Sequence, residues 1–115
     1  MTTITTFIDT NKLPRVKTPH GDAREILSEQ VCGAKNVLGT LRWLASGESF
    51  TAQPEGKHQL LYLMDGKGSI QLDGKDYDVA KGAGVYLGPM EGATIQAATG
   101  NALKVFHLQV PQIPR

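Results

Sequence analysis

Short apolar segments recur along the chain, and residues that favour tight turns separate them. Residues 59–64 are mainly apolar, residues 68–72 include Ile70 and Leu72, and the dipeptides Asp65-Gly66 and Asp73-Gly74 follow these two segments. Short strands at close spacing, divided by Gly, Asp or Asn, predict an all-β sandwich or barrel. Further short segments that we predict as strands occupy residues 36–45, 75–79, 84–87, 94–98 and 102–110.

Composition narrows the class of protein. A chain of 115 residues suits one domain, and we take residues 1–115 as that domain. The net charge of +1 without a block of like charge argues against nucleic acid or a membrane surface as partner. The N-terminus has no secretory signal pattern, and Cys32 is the single cysteine, so the sequence predicts a reducing, cytoplasmic location.

Residues 47–66 carry a distinctive spacing, in which Gly47 and Gly66 frame Gln53, Glu55 and Gln59. The stretch resembles the first motif of the cupin superfamily, where two histidines and a glutamate occupy those three inner positions. The resemblance spans about residues 38–111. It implies an antiparallel cupin barrel, also called a double-stranded β-helix or jelly roll, with a pocket at one mouth. Because the usual metal ligands are replaced, we expect no metal and no other cofactor.

Residues 82–98 resemble the second cupin motif in strand layout but only weakly in residues. The spacing between glycine and proline differs by one residue, and the histidine position falls on Thr94 or Ile95. Neither side chain is a good metal ligand. Thr94 and Gln96 share one face of the predicted strand, and we expect them to add polar groups to the pocket.

Residues 22–33 fit two structures. Asp22 could cap a helix and Gly33 could end it, so local propensity favours a short helix. The cupin resemblance implies an extended strand over residues 24–28 instead, and we favour the strand because tertiary context overrides propensity in short segments.

Alternation along a strand determines which side chains share a pocket. If Gln59 faces inward, Leu61 and Leu63 do so too, and we expect Gln53 and Glu55 to converge with Gln59 inside the barrel. Without the cupin spacing, these residues would simply be an exposed loop before a strand. The neighbouring His58 then faces outward unless the register slips by one residue.

Two choices of face stay open from the sequence. Either Arg42 or Trp43 points inward, and an inward Arg42 would anchor a carboxylate of the substrate. In the last strand, either His107 or Phe106 points inward. An inward His107 could form an acid–base pair with Glu55, which desolvation in the barrel would suit to proton transfer. His20 and Tyr86 are weaker candidates.

Three functions remain as hypotheses. The first is a metal-independent isomerase, epimerase or lyase that acts on a small polar metabolite, with Glu55 and His107 as catalytic residues. Gln53, Gln59, Arg42, Thr94 and Gln96 would then bind the substrate. The second is a ligand-binding domain without catalysis, and the third is a dioxygenase-like site that holds a metal through Glu55, Gln59 and a histidine. Cupins of this size are commonly homodimers, and the alternating pattern of residues 3–8 predicts a dimer through an N-terminal strand.

Overall fold

The computed structural model describes residues 8–18, 21–33 and 36–111. The residues expected to form a dimer contact, 3–8, lie outside this part of the chain except for Ile8. The candidate His20 also lies outside it. Within the described ranges no helix is long and apolar enough to cross a membrane.

In the described part of the chain, ten strands form two antiparallel sheets, which confirms the all-β prediction. The larger sheet has six strands in the order β1-β2-β3-β10-β5-β8, and the smaller has four in the order β4-β9-β6-β7. The strands are β1 (Val16–Thr18), β2 (Gly21–Leu27), β3 (Leu38–Leu44), β4 (Ser49–Ala52), β5 (Lys57–Asp65), β6 (Lys67–Leu72), β7 (Lys75–Ala80), β8 (Gly84–Leu87), β9 (Ala93–Ala97) and β10 (Leu103–Pro111).

The apolar core lies between the inner faces of the two sheets. Leu61 and Leu63 of β5 and Val105 of β10 face Ile70 and Ile95 of the smaller sheet, and each of these five residues is at most 1% exposed. Burial of this interdigitated layer is the main force that holds the sheets together. The pattern confirms that Leu61 and Leu63 face inward on the same side as Gln59.

The segment over residues 22–33 begins as a strand, as the cupin resemblance implied, and ends in a helical turn. β2 runs over Gly21–Leu27, and helix is confined to one turn, α1 (Glu29–Cys32). The hydroxyl oxygen of Ser28 accepts a hydrogen bond from the Val31 backbone at 3.2 Å, so Ser28 caps this turn rather than Asp22. The sequence did not predict β1 or β4, which have three and four residues.

Gly66, the last glycine of the first motif, is required by the backbone. Its φ of 93° lies in the left-handed region, and a Cβ atom there would collide with the carbonyl oxygen of Ala102. This glycine lets the β5–β6 turn approach the start of β10.

Candidate functional site

The inner face of the larger sheet carries the polar residues of interest. Strand β10 pairs with β3 so that His107 lies opposite Thr40, and Val105 lies opposite Arg42. Val105 and His107 are 1% and 2% exposed, whereas Phe106 is on the other face. Arg42 shares this inner face, and Trp43 is on the outer one, where the Arg15 guanidinium lies 4.2 Å from its ring. The two open choices therefore resolve to Arg42 and His107.

Arg42 is half-buried and has one polar partner. Its Nε donates a hydrogen bond to Nδ1 of His107 at 3.2 Å, and its guanidinium lies 3.9 Å from the centre of the Phe50 ring. Its two terminal amino groups have no hydrogen-bond or ion-pair partner among the described residues. Desolvation by burial lowers the pKa of Arg42 from its ordinary value.

His107 is neutral, and its hydrogen bonds define the tautomer. Because arginine only donates, Nδ1 of His107 accepts, and the proton of the neutral ring is on Nε2. Nε2 lies 2.7 Å from Oε1 of Gln59 and donates to it. Burial, followed by the positive charge of Arg42, lowers the pKa of His107 from 6.5 to about 4. The Phe50 ring and the His107 imidazole meet edge to face, and their ring centres are 5.3 Å apart.

Gln59 completes a polar chain that ends at the backbone. Its side chain is 2% exposed, and its amide nitrogen donates to the carbonyl oxygen of Gln53 at 2.8 Å. We call the series Arg42, His107, Gln59 and the Gln53 carbonyl the polar chain. Arg42, His107 and Gln59 each donate to the next member, and the Gln53 carbonyl accepts the last hydrogen bond, so both ring nitrogens of His107 are satisfied without solvent.

The prediction that Gln53 and Glu55 turn into the barrel is wrong. Strand β4 ends at Ala52, and residues 53–56 form a loop in which both side chains are exposed. Gly56 has a φ of 71°, and its backbone nitrogen donates to Pro89, which holds the loop at the surface. Alternation does not extend through such a turn, so the motif spacing no longer places Glu55 inside.

The prediction that Thr94 and Gln96 line the pocket is also wrong. Ala93, Ile95 and Ala97 are the buried residues of β9, so Thr94 and Gln96 lie on its outer face. There the Thr94 hydroxyl lies 3.0 Å from that of Thr51. The amide nitrogen of Gln96 donates to the carbonyl oxygen of Gly47.

The expected outward orientation of His58 agrees with the structure. Its Nδ1 lies 2.6 Å from the hydroxyl of Tyr86, which is 61% exposed, and the two rings stack. These two residues belong to the outer face of the larger sheet and do not reach the polar chain.

Three inward polar residues were not among the sequence candidates. Thr40 and Gln109 are 7% and 9% exposed, and Lys57 precedes Gln59 by two residues on the same face of β5. The alternation of side chains along a strand, counted from Gln59 and His107, was the signal that could have found them. Gln109 and Lys57 line a cavity of about 260 Å³ at this end of the sheet, which we call the mouth cavity. Its lining residues are Asn36, Val37, Leu38, Lys57, Gln109 and Pro111.

The donor set of the barrel does not fit a transition metal. Of the three motif positions only Gln59 turns inward, and amide oxygen is a weak ligand for such ions. Both nitrogens of His107 are engaged, and the Arg42 cation beside it would repel a second cation. Over residues 8–18, 21–33 and 36–111 no three His, Cys, Asp or Glu side chains are grouped as metal ligands.

The two-sheet fold is that of a cupin. Residues 39–113 match the model of the AraC-like ligand binding domain, and the chain belongs to that family. No curated protein matches the chain in sequence.

Solved structures of low sequence identity share the fold over nearly the whole chain. A predicted oxalate decarboxylase from Thermotoga maritima is 16% identical with a TM-score of 0.82, and the match covers 93% of this chain and 100% of that one. The polyketide cyclase RemF from Streptomyces resistomycificus is 12% identical with a TM-score of 0.81, covering 97% and 83%. KdgF from Halomonas sp. is 13% identical with a TM-score of 0.79, covering 96% of each.

Proposed function

We propose that this domain binds a small polar metabolite through a carboxylate of that metabolite and does not transform it. The observation that carries the proposal is Arg42, a partly buried cation on the inner face whose terminal amino groups lack partners in the described chain. Those two groups form a fork that matches the two oxygens of a carboxylate.

Energetics support a missing anion beside Arg42. A partly buried charge loses part of its hydration, and pairing with an anion offsets that loss. Contact with the Phe50 ring stabilises the Arg42 guanidinium by about 0.5–2 kcal/mol, and the hydrogen bond to neutral His107 contributes a similar amount. The buried polar residues of the described chain include no carboxylate that could pair with the Arg42 guanidinium. A ligand carboxylate would do so.

Catalysis finds less support than binding. The isomerase or lyase hypothesis required Glu55 inside the barrel as a proton shuttle, and Glu55 is exposed. His107 has no free lone pair, since Nδ1 accepts from Arg42 and Nε2 carries the proton that Gln59 receives. A general base needs an available lone pair within reach of the substrate. We therefore replace the catalytic hypothesis with the ligand-binding one, even though some of the structural neighbours bear the names of enzymes.

A thermal-shift screen with matched pairs tests the proposal. Each small hydroxy or keto acid is compared with its neutral amide on the wild type, Arg42→Gln and the control Arg15→Gln, which changes a surface arginine. Since a ligand that binds only the folded state stabilises it, acids should raise the melting temperature of the wild type and of Arg15→Gln only. Equal shifts for acids and amides, or full retention in Arg42→Gln, would contradict the proposed anchor.

The absence of turnover is tested separately on the best acid. The protein is incubated with an excess of the compound, and the mixture is followed by NMR over hours. An unchanged spectrum is expected. Formation of a product that depends on the protein, and that disappears in His107→Gln, would restore the catalytic hypothesis.

A further inference from the structure

We propose that the Arg42 site binds a 2-amino acid, and that Glu25 and Thr40 receive the ammonium group beside its carboxylate. The inference rests on the proposed function: Arg42 holds the carboxylate, and the two further residues select among small acids. It follows from the strand pairing, from the direction in which the site opens and from the charges on that side.

The inner face around Arg42 is closed on the β10 side and open on the β2 side. On the β10 side, Val105 and His107 are 1% and 2% exposed, and the Phe50 ring that contacts the guanidinium is 8% exposed. On the β2 side, Ala23 lies opposite Arg42 and is partly exposed, and its small side chain leaves space over the strand. A ligand whose carboxylate reaches Arg42 therefore extends over β2, because core residues fill the β10 side.

Glu25 brings a negative charge to this open side. It is exposed and lies opposite Thr40 in the β2–β3 pairing, and Thr40 is two residues from Arg42 along β3. Glu25 and Arg42 are thus diagonal neighbours on one face, with Cα atoms about 7–8 Å apart. Neither side chain forms an ion pair in the described part of the chain. A cation and an anion that share a face without contact match the two charges of a zwitterion.

Thr40 supplies a neutral acceptor between these charges. The residue is 7% exposed, and its hydroxyl has no hydrogen-bond partner in the residues that the structure describes. Within those residues Nε of Arg24 is the one side-chain polar atom that is both fully buried and unpartnered, so the Thr40 hydroxyl is still accessible. Its oxygen can accept from an ammonium group that lies between Arg42 and Glu25.

The charges on the open side discriminate among small acids. A 2-amino acid presents an ammonium group to the Glu25 carboxylate, which is a charge-assisted contact. A 2-hydroxy acid offers one neutral donor, and an unsubstituted acid offers none. A dicarboxylate brings a second anion toward Glu25 and is repelled. We expect affinity to fall in that order, from the amino acid to the dicarboxylate.

The test compares 2-aminobutanoate, 2-hydroxybutanoate, butanoate and butanedioate, with both enantiomers of the first two. Affinities come from the backbone amide signals of Ala23 and Thr40 in ¹H–¹⁵N NMR titrations. Glu25→Gln keeps the shape of the side chain without its charge, and Glu55→Gln changes an exposed glutamate elsewhere as the matched control. Thr40→Val removes the hydroxyl at nearly constant volume, and Arg42→Gln removes the carboxylate anchor.

One enantiomer of 2-aminobutanoate should bind the wild type and Glu55→Gln about three- to tenfold more tightly than butanoate does. This is the range for a hydrogen-bonded ion pair that is partly exposed to solvent. The preference should vanish in Glu25→Gln and shrink in Thr40→Val, whereas butanoate should bind both variants at least as well as the wild type.

Equal affinities of butanoate and 2-aminobutanoate for the wild type would overturn the inference. So would a preference that Glu25→Gln or Thr40→Val keeps in full, or tighter binding of butanedioate than of 2-aminobutanoate. If Arg42→Gln still weakened every acid in such a case, the proposed carboxylate anchor would stand without the amino-acid selection. If Arg42→Gln weakened none of them, or if no acid bound the wild type, both proposals would fall.

Discussion

Arg42 and His107 meet diagonally across β3 and β10, with Nε of the arginine 3.2 Å from Nδ1 of the imidazole. A cation that donates to a neutral histidine is an uncommon pairing in a protein interior, where charges are usually matched by opposite charge. The contact holds the guanidinium in place and leaves its terminal amino groups available. Burial, followed by the positive charge of Arg42, lowers the pKa of His107 and keeps the ring neutral, and this has a measurable consequence for stability.

The free energy of unfolding should fall as the pH is lowered from about 6.5 to about 4. The unfolded chain binds a proton at His107 near pH 6.5, but the folded protein does so only near 4, so the unfolded state holds more protons between these values. The full difference corresponds to about 3 kcal/mol. Urea unfolding of the wild type and His107→Gln across this range is the measurement. Above pH 6.5 the two curves should be parallel, and parallel curves at lower pH as well would show that His107 titrates normally.

Gln59→Leu should destabilise the protein by about 1–3 kcal/mol for each buried group left without a partner. The buried group is Nε2 of His107, whereas the carbonyl oxygen of Gln53, which also bonds to the Gln59 amide, lies on the exposed loop and can bond to water instead. Gln71→Leu removes an exposed amide and serves as the control. Chemical denaturation at neutral pH gives both values, and equal effects of the two substitutions would mean that the polar chain adds nothing to stability.

Glu55→Ala should change the free energy of unfolding by no more than about 0.5 kcal/mol, as is usual for an exposed side chain without a structural role. Glu48→Ala is the matched comparison, since the Glu48 carboxylate accepts a hydrogen bond of 2.6 Å from the backbone of Ala45 and its loss should cost more. The same urea experiment applies. A large stability change at Glu55 alone would place that carboxylate back in the barrel.

Purified protein should carry no stoichiometric transition metal. The prediction follows from the donor set, which offers one imidazole next to a guanidinium instead of several imidazoles. Elemental analysis follows expression in medium supplemented with iron, manganese and zinc. One equivalent of metal that is lost in Gln59→Ala or His107→Ala would contradict it and would favour the dioxygenase-like hypothesis.

The fold could be predicted because its determinants are local and repeated. Turn dipeptides such as Asp73-Gly74 and the period-two pattern of β5 and β10 are visible in the sequence, and the β6–β7 hairpin follows from them. Short elements such as β1 and β4 have too few residues to establish a period, so they exist mainly through their pairing with neighbours.

The site could be predicted only where alternation applies. Alternation placed Gln59 correctly within β5. It could not choose between Arg42 and Trp43, because either orientation of the strand places a large residue on each face. Tertiary packing made that choice. Glu55 was misplaced because the strand ends before the motif does.

Thr94 and Gln96 were misplaced for a different reason. The apolar alternation Ala93, Ile95 and Ala97 was present in the sequence and pointed to the other face of β9. The expectation followed the second cupin motif and gave less weight to this pattern, because alanine is a weak hydrophobic signal. In this strand, the buried residues are the apolar ones.

The most direct measurement of the central claim is isothermal titration calorimetry of the best acid from the screen against the wild type, Arg42→Lys and Arg42→Gln. We expect binding to the wild type, weaker binding to Arg42→Lys, which keeps the charge but loses the fork, and a loss of about tenfold to a hundredfold in Arg42→Gln. The neutral amide should bind the wild type about as weakly as the acid binds Arg42→Gln. Equal affinity of the acid for the wild type and a folded Arg42→Gln variant would contradict the account.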